Sequence, residues 1–350
     1  MSTRRAFPGL FAAAVLAGFV IAACAGSDAP SSEADAAGST AQTGASNDRV
    51  LLVVTTVSPL RNIVENVGGD RVTVVGLVPE GTNSHTYEPP PSAVKEIAQA
   101  DVIVINGLKL ELPILELAQA SARPETPLVL LGDSAIDPDE YVFDFSFPAD
   151  EGNPNPHLWT SPDLAIRYAE IVAAALSAAD PDGAAYFEAN LSAFAAQLRA
   201  MDERFFDAVA TIPPAQRKLL TYHDSFPFFA ARYGFEIIGA VQPSGFNDPS
   251  PRDLGAIIRQ IREAHVPAIF GSEVFRSEVL RVIADEAGAI QVSTLRDDDL
   301  PGKQGDPNNT LVAMMVENVR TMVSALGGDP VALAGFDTHD TWRPFAEFEG

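Results

Sequence analysis

Eight short runs rich in Val, Ile and Leu, alternating with stretches of helical period, constrain this chain more than any other feature. Four lie at 50–56, 72–78, 101–106 and 128–131, and four more at 219–222, 235–241, 268–271 and 290–293. Apolar runs of this length bounded by turn residues read as strands, and strands separated by helices read as βα units around a mostly parallel sheet. Between the two sets, Phe187, Leu191, Phe194, Leu198, Met201, Phe205 and Val209 recur every three or four residues, with no proline until Pro213. That spacing predicts one amphipathic helix; about 28 helical residues would span roughly 42 Å, enough to run along two lobes and join them. The expected fold class is therefore α/β: an N-terminal lobe at 49–180, a linking helix at 181–212 and a C-terminal lobe at 213–335, followed by a tail at 336–350. In open α/β sheets ligands bind outside the carboxyl ends of the strands, so two facing sheets place the site in the cleft between lobes.

What precedes residue 49 has a different character. Arg4 and Arg5 begin an N-terminal segment whose apolar stretch, 10–23, is too short to span a bilayer as a permanent helix and reads as a secretory signal. Its end, Ile21-Ala-Ala-Cys24, resembles a bacterial lipobox, which makes Cys24 the lipidated first residue of the mature protein and 1–24 the cleaved signal. The paired arginines also resemble a twin-arginine export motif, so the export route stays open between the two general pathways. Residues 25–48 are mainly Ala, Ser, Gly, Thr and Asp and read as a disordered tether. Cys24 is the only cysteine, which excludes an internal disulfide and a thiolate metal site. With 47 acidic against 23 basic residues, the formal charge of -24 excludes the basic footprint that nucleic-acid binding needs. The expected location is extracytoplasmic, lipid-anchored to the bacterial cell membrane, and the expected state a monomer.

Three of the five histidines fall where strand-like runs end: His85 in Gly81-Thr-Asn-Ser-His85, His157 in Asn155-Pro-His-Leu-Trp159, and His223 in Leu219-Leu-Thr-Tyr-His223. Three imidazoles converging from separate loops make most of a tetrahedral transition-metal site. Pro89 to Pro91 stiffen the chain after His85, and Pro156 fixes the backbone before His157. His265, at a predicted helix end where the dipole favours a cation, reads as structural, and His339 in the acidic tail is assigned no role. A fourth, acidic ligand is expected, from Glu273 or from the run Asp297-Asp-Asp299.

These segments resemble the metal-specific solute-binding proteins of bacterial ABC importers, the zinc and manganese receptor family that includes lipoproteins once described as adhesins. The resemblance runs from about Val50 to Leu326. It is carried by His85-Thr-Tyr-Glu-Pro, Asn155-Pro-His-Leu-Trp, Tyr222-His-Asp-Ser-Phe with Arg232-Tyr-Gly, Asn106-Gly-Leu-Lys-Leu-Glu111, and Asp180-Pro with Tyr186-Phe-Glu-Ala-Asn190. The family's last ligand is an aspartate in a segment of the form Leu-Tyr-Ser-Asp-Ser-Leu, which Leu295-Arg-Asp-Asp-Asp-Leu300 matches with Asp298 at the ligand position. Arg296 replaces the tyrosine, aspartates replace both serines, and Asn83-Ser84 stands where Asp-Pro is usual. The resemblance implies His85, His157, His223 and Asp298 as metal ligands; Glu273, a candidate from the residues themselves, stays the alternative fourth. It also implies two lobes joined by a backbone helix, and a binding protein rather than an enzyme.

The implied function is capture of a divalent transition metal and delivery to an ABC permease. Three nitrogens and one oxygen favour Zn²⁺ first, with Mn²⁺ second because it prefers more oxygen. Proton competition at the ligands predicts that affinity falls through the histidine range near pH 6.5. The rival reading is a secreted hydrolase with a three-histidine zinc site and Glu88 or Glu273 as base. Against it, no His-Glu-x-x-His helix is present and a fourth protein ligand would close the water position. A surface adhesion protein with an incidental metal shares the anchor but leaves the histidines unexplained.

Overall fold

The computed structural model describes residues 49–242, 246, 249–274 and 278–343. The signal, Cys24 and the tether lie outside the described residues.

Each half of the chain builds one four-stranded, wholly parallel sheet. The first contains β1 (Leu51–Thr55), β2 (Val72–Gly76), β3 (Val102–Ile105) and β4 (Leu128–Leu130), in the order β2-β1-β3-β4. The second contains β5 (Lys218–Thr221), β6 (Glu236–Ala240), β7 (Ala268–Ser272) and β8 (Ile290–Leu295), in the order β6-β5-β7-β8. The central strands β3 and β7 are buried throughout, as parallel strands covered on both faces must be, whereas the edge strand β2 is partly open. Both sheets reverse direction of growth after their second strand, which opens a crevice at the carboxyl ends of β1 and β3 and of β5 and β7.

Helices α1 (Ser58–Gly68), α2 (Ala93–Gln99), α3 (Leu112–Ser121), α4 (Leu131–Ala135) and α5 (Pro162–Ala179) belong to the first lobe. A 3-10 turn at Pro181–Gly183 leads into α6 (Ala184–Ala210), whose 27 residues extend about 40 Å. Its face of Phe187, Phe194, Leu198, Met201, Phe205 and Val209 is buried, while Leu191 is only partly so. The second lobe adds α7 (Pro227–Tyr233), α8 (Pro251–Ala264), α9 (Glu278–Ala287) and α10 (Leu311–Ala325).

Arginine–aspartate pairs tie the spine's end to the first lobe and its body to the second. Arg71 Nε and Nη2 donate to Asp180 Oδ2 at 2.9 and 2.7 Å, beside the start of α6. Arg232 Nε donates to Asp202 Oδ1 at 2.7 Å and its Nη2 to Oδ2 at 2.5 Å, clamping α7 to α6. A forked guanidinium holds orientation as well as distance. The described part of the tail, 336–343, is docked as well. Asp340 Oδ1 accepts from the amides of Asn62 and Asn66 on α1, both at 2.8 Å, Thr338 O accepts from Thr310 Oγ1 at the start of α10, and Gln197 on α6 donates to Asp337 O and His339 O.

Candidate metal centre

His85 sits in a single 3-10 turn, Ser84–Thr86, in the loop after β2. His157 ends the long loop between α4 and α5, and His223 stands two residues beyond β5. Two of the loops share a device: the side-chain oxygen of Asn83 accepts the His85 N–H at 3.0 Å, and that of Asn155 accepts the His157 N–H at 3.0 Å. An asparagine two residues ahead thus closes an Asx turn that aims each ring.

The structure brings the three rings together across the cleft. Ring centroids are 5.2 Å apart for His85 and His157, 4.9 Å for His85 and His223, and 5.0 Å for His157 and His223. One nitrogen from each lies within 4.8 Å of the others. The Nε2 atoms of His85 and His157 are 3.4 Å apart, and tetrahedral ligands at Zn–N distances of 2.0–2.1 Å stand about 3.3–3.4 Å from each other. The Asn155 oxygen that accepts the His157 backbone also lies 2.9 Å from ring Nδ1, so Nδ1 carries the proton and Nε2 presents a lone pair to the cleft. Asn155 is itself oriented by donating to Asp144 Oδ2 at 2.8 Å and to Asp224 O at 2.6 Å.

Burial decides the charge state. His157 and His223 are 0% and 2% exposed, and His85 is half-buried. Desolvation holds His85 and His157 well below 6.5, and neighbouring imidazoles add to it; desolvation lowers His223 to about 3, with the Gln242 side chain opposing. The rings are neutral at ordinary pH, ready to donate lone pairs. The carboxyls are shifted the other way. Burial raises Asp298 to about 7 against the lowering effect of Ser84, raises Asp299 to about 6, and pushes Asp297 well above the carboxylate range with help from Glu273 and Asp298. Proton competition near neutrality therefore belongs to the acids rather than to the histidines expected from sequence.

The three aspartates are placed differently. Asp297 Oδ2 is 3.9 Å from His157 Nε2. Asp298 Oδ2 accepts from Ser84 Oγ at 2.6 Å, beside His85, while its buried Oδ1 has no hydrogen-bond partner. Asp299 Oδ2 accepts the Gly81 N–H at 2.7 Å. Glu273 does a different job: its Oε1 accepts the backbone N–H groups of Asp297, Asp298 and Asp299 at 2.9, 3.0 and 3.0 Å. With that oxygen occupied three times over, Glu273 shapes the acidic loop. The loop is also stitched to the first lobe, with Ser58 Oγ donating to Asp298 O at 3.1 Å and Trp159 Nε1 to Asp297 O at 2.6 Å.

Two phenylalanines that the histidine pattern does not reveal close the site. Phe147 lies 5.5, 5.8 and 5.6 Å from the rings of His85, His157 and His223, and Phe246 stacks on His85 at 4.2 Å with 17° between planes. The only sequence signal for Phe147 is the alternation Phe143-Asp-Phe-Ser-Phe147, which taken alone reads as strand.

Comparison with known proteins points one way. The pattern of the family described as ZnuA, zinc-uptake complex component A, periplasmic, matches residues 53–325. The manganese-binding lipoprotein MntA of Halalkalibacterium halodurans is 30% identical over 286 residues, covering 81% of this chain and 91% of that protein. The iron-binding protein YfeA of Yersinia pestis is 27% identical over 275 residues, covering 79% and 86%. Among solved structures, the periplasmic zinc-binding protein TroA of Treponema pallidum superposes with a TM-score of 0.72 at 26% identity, covering 79% of this chain and 99% of that one.

Proposed function

This chain belongs to the ZnuA family, and from that premise we propose that it captures a divalent transition metal outside the cytoplasmic membrane and delivers it to an ABC permease, with zinc first and manganese second. The observation that carries the reading is the triad itself. Three neutral imidazoles from two lobes, two of them buried, bring one nitrogen each within 4.8 Å of the others, as the ligands of one ion must be.

In this reading His85, His157 and His223 supply three nitrogens, and Asp298 Oδ1, the buried oxygen left without a partner, supplies the fourth donor. Ser84 orients that carboxylate and keeps it beside His85. A second choice of acid, Asp297, is favoured by its 3.9 Å approach to His157. Binding expels the proton that burial keeps on the acid, and the ion's charge then replaces it in stabilising the carboxylate. Because the donors come from both lobes, a bound ion holds the cleft shut, and release requires the lobes to part, which docking on the permease would drive. The relatives' names fit this: a manganese-binding lipoprotein, and a metal ABC transporter substrate-binding lipoprotein, FimA of Streptococcus parasanguinis. Lipidation of Cys24 and anchoring through the tether complete the proposal. Among the described residues, no helix is long and apolar enough to cross a membrane. The hydrolase reading is weaker, because of its two candidate bases Glu273 is engaged by three backbone amides and Glu88 is exposed.

The test is competition titration with Zn²⁺ on wild type and His157→Ala. Affinity should fall by at least about a hundredfold, since even groups behind the ligands cost 10–100-fold. Unchanged affinity removes His157 from the ion. Metal content of protein purified from cells without added metal decides between zinc and manganese.

A further inference from the structure

We propose that Phe147 and Phe246 determine which cation the triad accepts, by forming an apolar cap that keeps water from the ion and confines it to low coordination. The inference rests on the metal-capture reading above and deepens it by assigning selectivity to residues that bind nothing themselves.

Phe147 is almost equidistant from the three imidazoles, so its ring lies near the axis of the triad, over one of its faces. It is 5% exposed and firmly held. Asp144 Oδ1 accepts the N–H groups of Ser146 and Phe147, both at 3.2 Å, and Asp144 N–H donates to Phe147 O at 2.9 Å. The other oxygen of Asp144 holds Asn155, and through it His157. Ser146 Oγ donates to Gln242 O at 3.3 Å and accepts from Asp224 N at 3.4 Å, both on the second lobe. The same short loop therefore sets the cap, aims one histidine and fastens to the segment bearing another. Phe246 covers the half-buried His85 and lies 5.9 Å from Phe147, completing the roof. Its backbone is left-handed at φ 58°, an unfavourable state for an aromatic residue that positions the ring on His85.

A cap of this kind acts unequally on two ions. Zn²⁺ is satisfied by four ligands, and three imidazoles with one carboxylate supply them without water. Mn²⁺ takes a larger, oxygen-rich shell that waters must help to fill, and an aromatic ring on the triad axis denies them a position.

The experiment measures Zn²⁺ and Mn²⁺ dissociation constants, with the visible spectrum of the Co²⁺-loaded protein, for wild type, Phe147→Asn, Phe147→Leu and Phe246→Asn. Asparagine admits water and tolerates the left-handed backbone at 246, whereas leucine keeps the cap dry. Both asparagine variants should lower the Zn²⁺ to Mn²⁺ affinity ratio by about tenfold or more, and shift the cobalt spectrum from intense four-coordinate bands to weak ones; each tenfold is about 1.4 kcal/mol. Phe147→Leu should leave ratio and spectrum near wild type. The inference fails if the asparagine variants keep the wild-type ratio and spectrum, or if leucine changes them as much as asparagine does. His157→Ala runs beside them: lost metal binding there with unchanged selectivity in the cap variants overturns the cap alone, whereas intact binding removes His157 from the ion and with it the triad that the cap is proposed to cover.

Discussion

Glu111 offers a quantitative test of how the fold supports the centre. It is 2% exposed, in the loop between β3 and α3, and its Oε1 accepts from Thr56 Oγ1 at 2.8 Å and from Asn106 N–H at 2.9 Å. Its Oε2 is buried without a hydrogen-bond partner. Asn106 in turn donates to Pro156 O at 3.1 Å, directly before His157, and accepts from Tyr168 OH at 2.7 Å. Burial raises the Glu111 carboxyl from 4.5 to about 7, with the hydrogen bonds from Asn106 and Thr56 opposing only in part. At 1.36 kcal/mol per pKa unit, ionising it in the folded state costs on the order of 3 kcal/mol.

The sign follows from proton counting. Between pH 4.5 and about 7 the folded protein keeps a proton that the unfolded chain has released, so stability falls as pH rises through that window and levels off above it. Glu111→Gln keeps an oxygen acceptor for both donors and cannot ionise. Any cost of its buried amide is the same at every pH. Urea unfolding of metal-free protein at several pH values should therefore show the stability of the variant minus that of wild type growing by about 3 kcal/mol from pH 4.5 to pH 8. A difference independent of pH would refute the claim that burial keeps this carboxyl protonated.

Other perturbations separate roles that sit close together. Asp298→Asn should weaken Zn²⁺ binding far more than Asp299→Asn, whose partner is the Gly81 amide, and titration of Asp297→Asn decides whether the 3.9 Å neighbour of His157 takes the ligand role instead. With Asp298 as the proposed fourth donor, wild-type affinity should drop as pH falls below about 7, and isothermal titration across pH should find that inflection absent in Asp298→Asn. Glu273→Ala removes the acceptor for three amides and should cost both metal affinity and apo stability, the latter by about 2 kcal/mol or more in urea unfolding. Truncation after Gly335 strips Asp340 from the buried amides of Asn62 and Asn66 and should destabilise the apo protein by about 1–3 kcal/mol per amide left unpaired; an unchanged unfolding midpoint would show those amides rehydrated.

Much of the architecture was legible in local pattern. All eight apolar runs overlap strands, because a strand buried in a parallel sheet must be apolar on both faces, and that leaves its mark on consecutive residues. The spine was equally legible, since helical periodicity at Phe187, Phe194, Leu198 and Phe205 is a property of the chain by itself. His85 and His223 stood out because their loops follow strand ends, whereas the loop of His157 follows helix α4 and was marked by Asn155 and Pro156 rather than by the strand end expected for it. Glu273 shows the limit. An acid after a strand near the cleft reads as a donor, and only the path of the neighbouring loop reveals that three backbone N–H groups already occupy one of its oxygens. The described part of the tail, bare in sequence, is docked because its partners are side chains on α1 and α6.

What the sequence determined by itself is periodicity, polarity and the kinds of atom available to bind: two α/β lobes, a stiff helix between them, and nitrogen donors in the loops. Tertiary structure alone decided convergence and protonation. Imidazoles far apart in sequence meet because loops from the two lobes come together in the fold. Their pKa values fall, and those of the acids rise, because the same closure removes the water that would have stabilised their charged forms. The aromatic cap belongs to this second class, since nothing in Phe147 or Phe246 marks either for the triad until folding sets their rings against it.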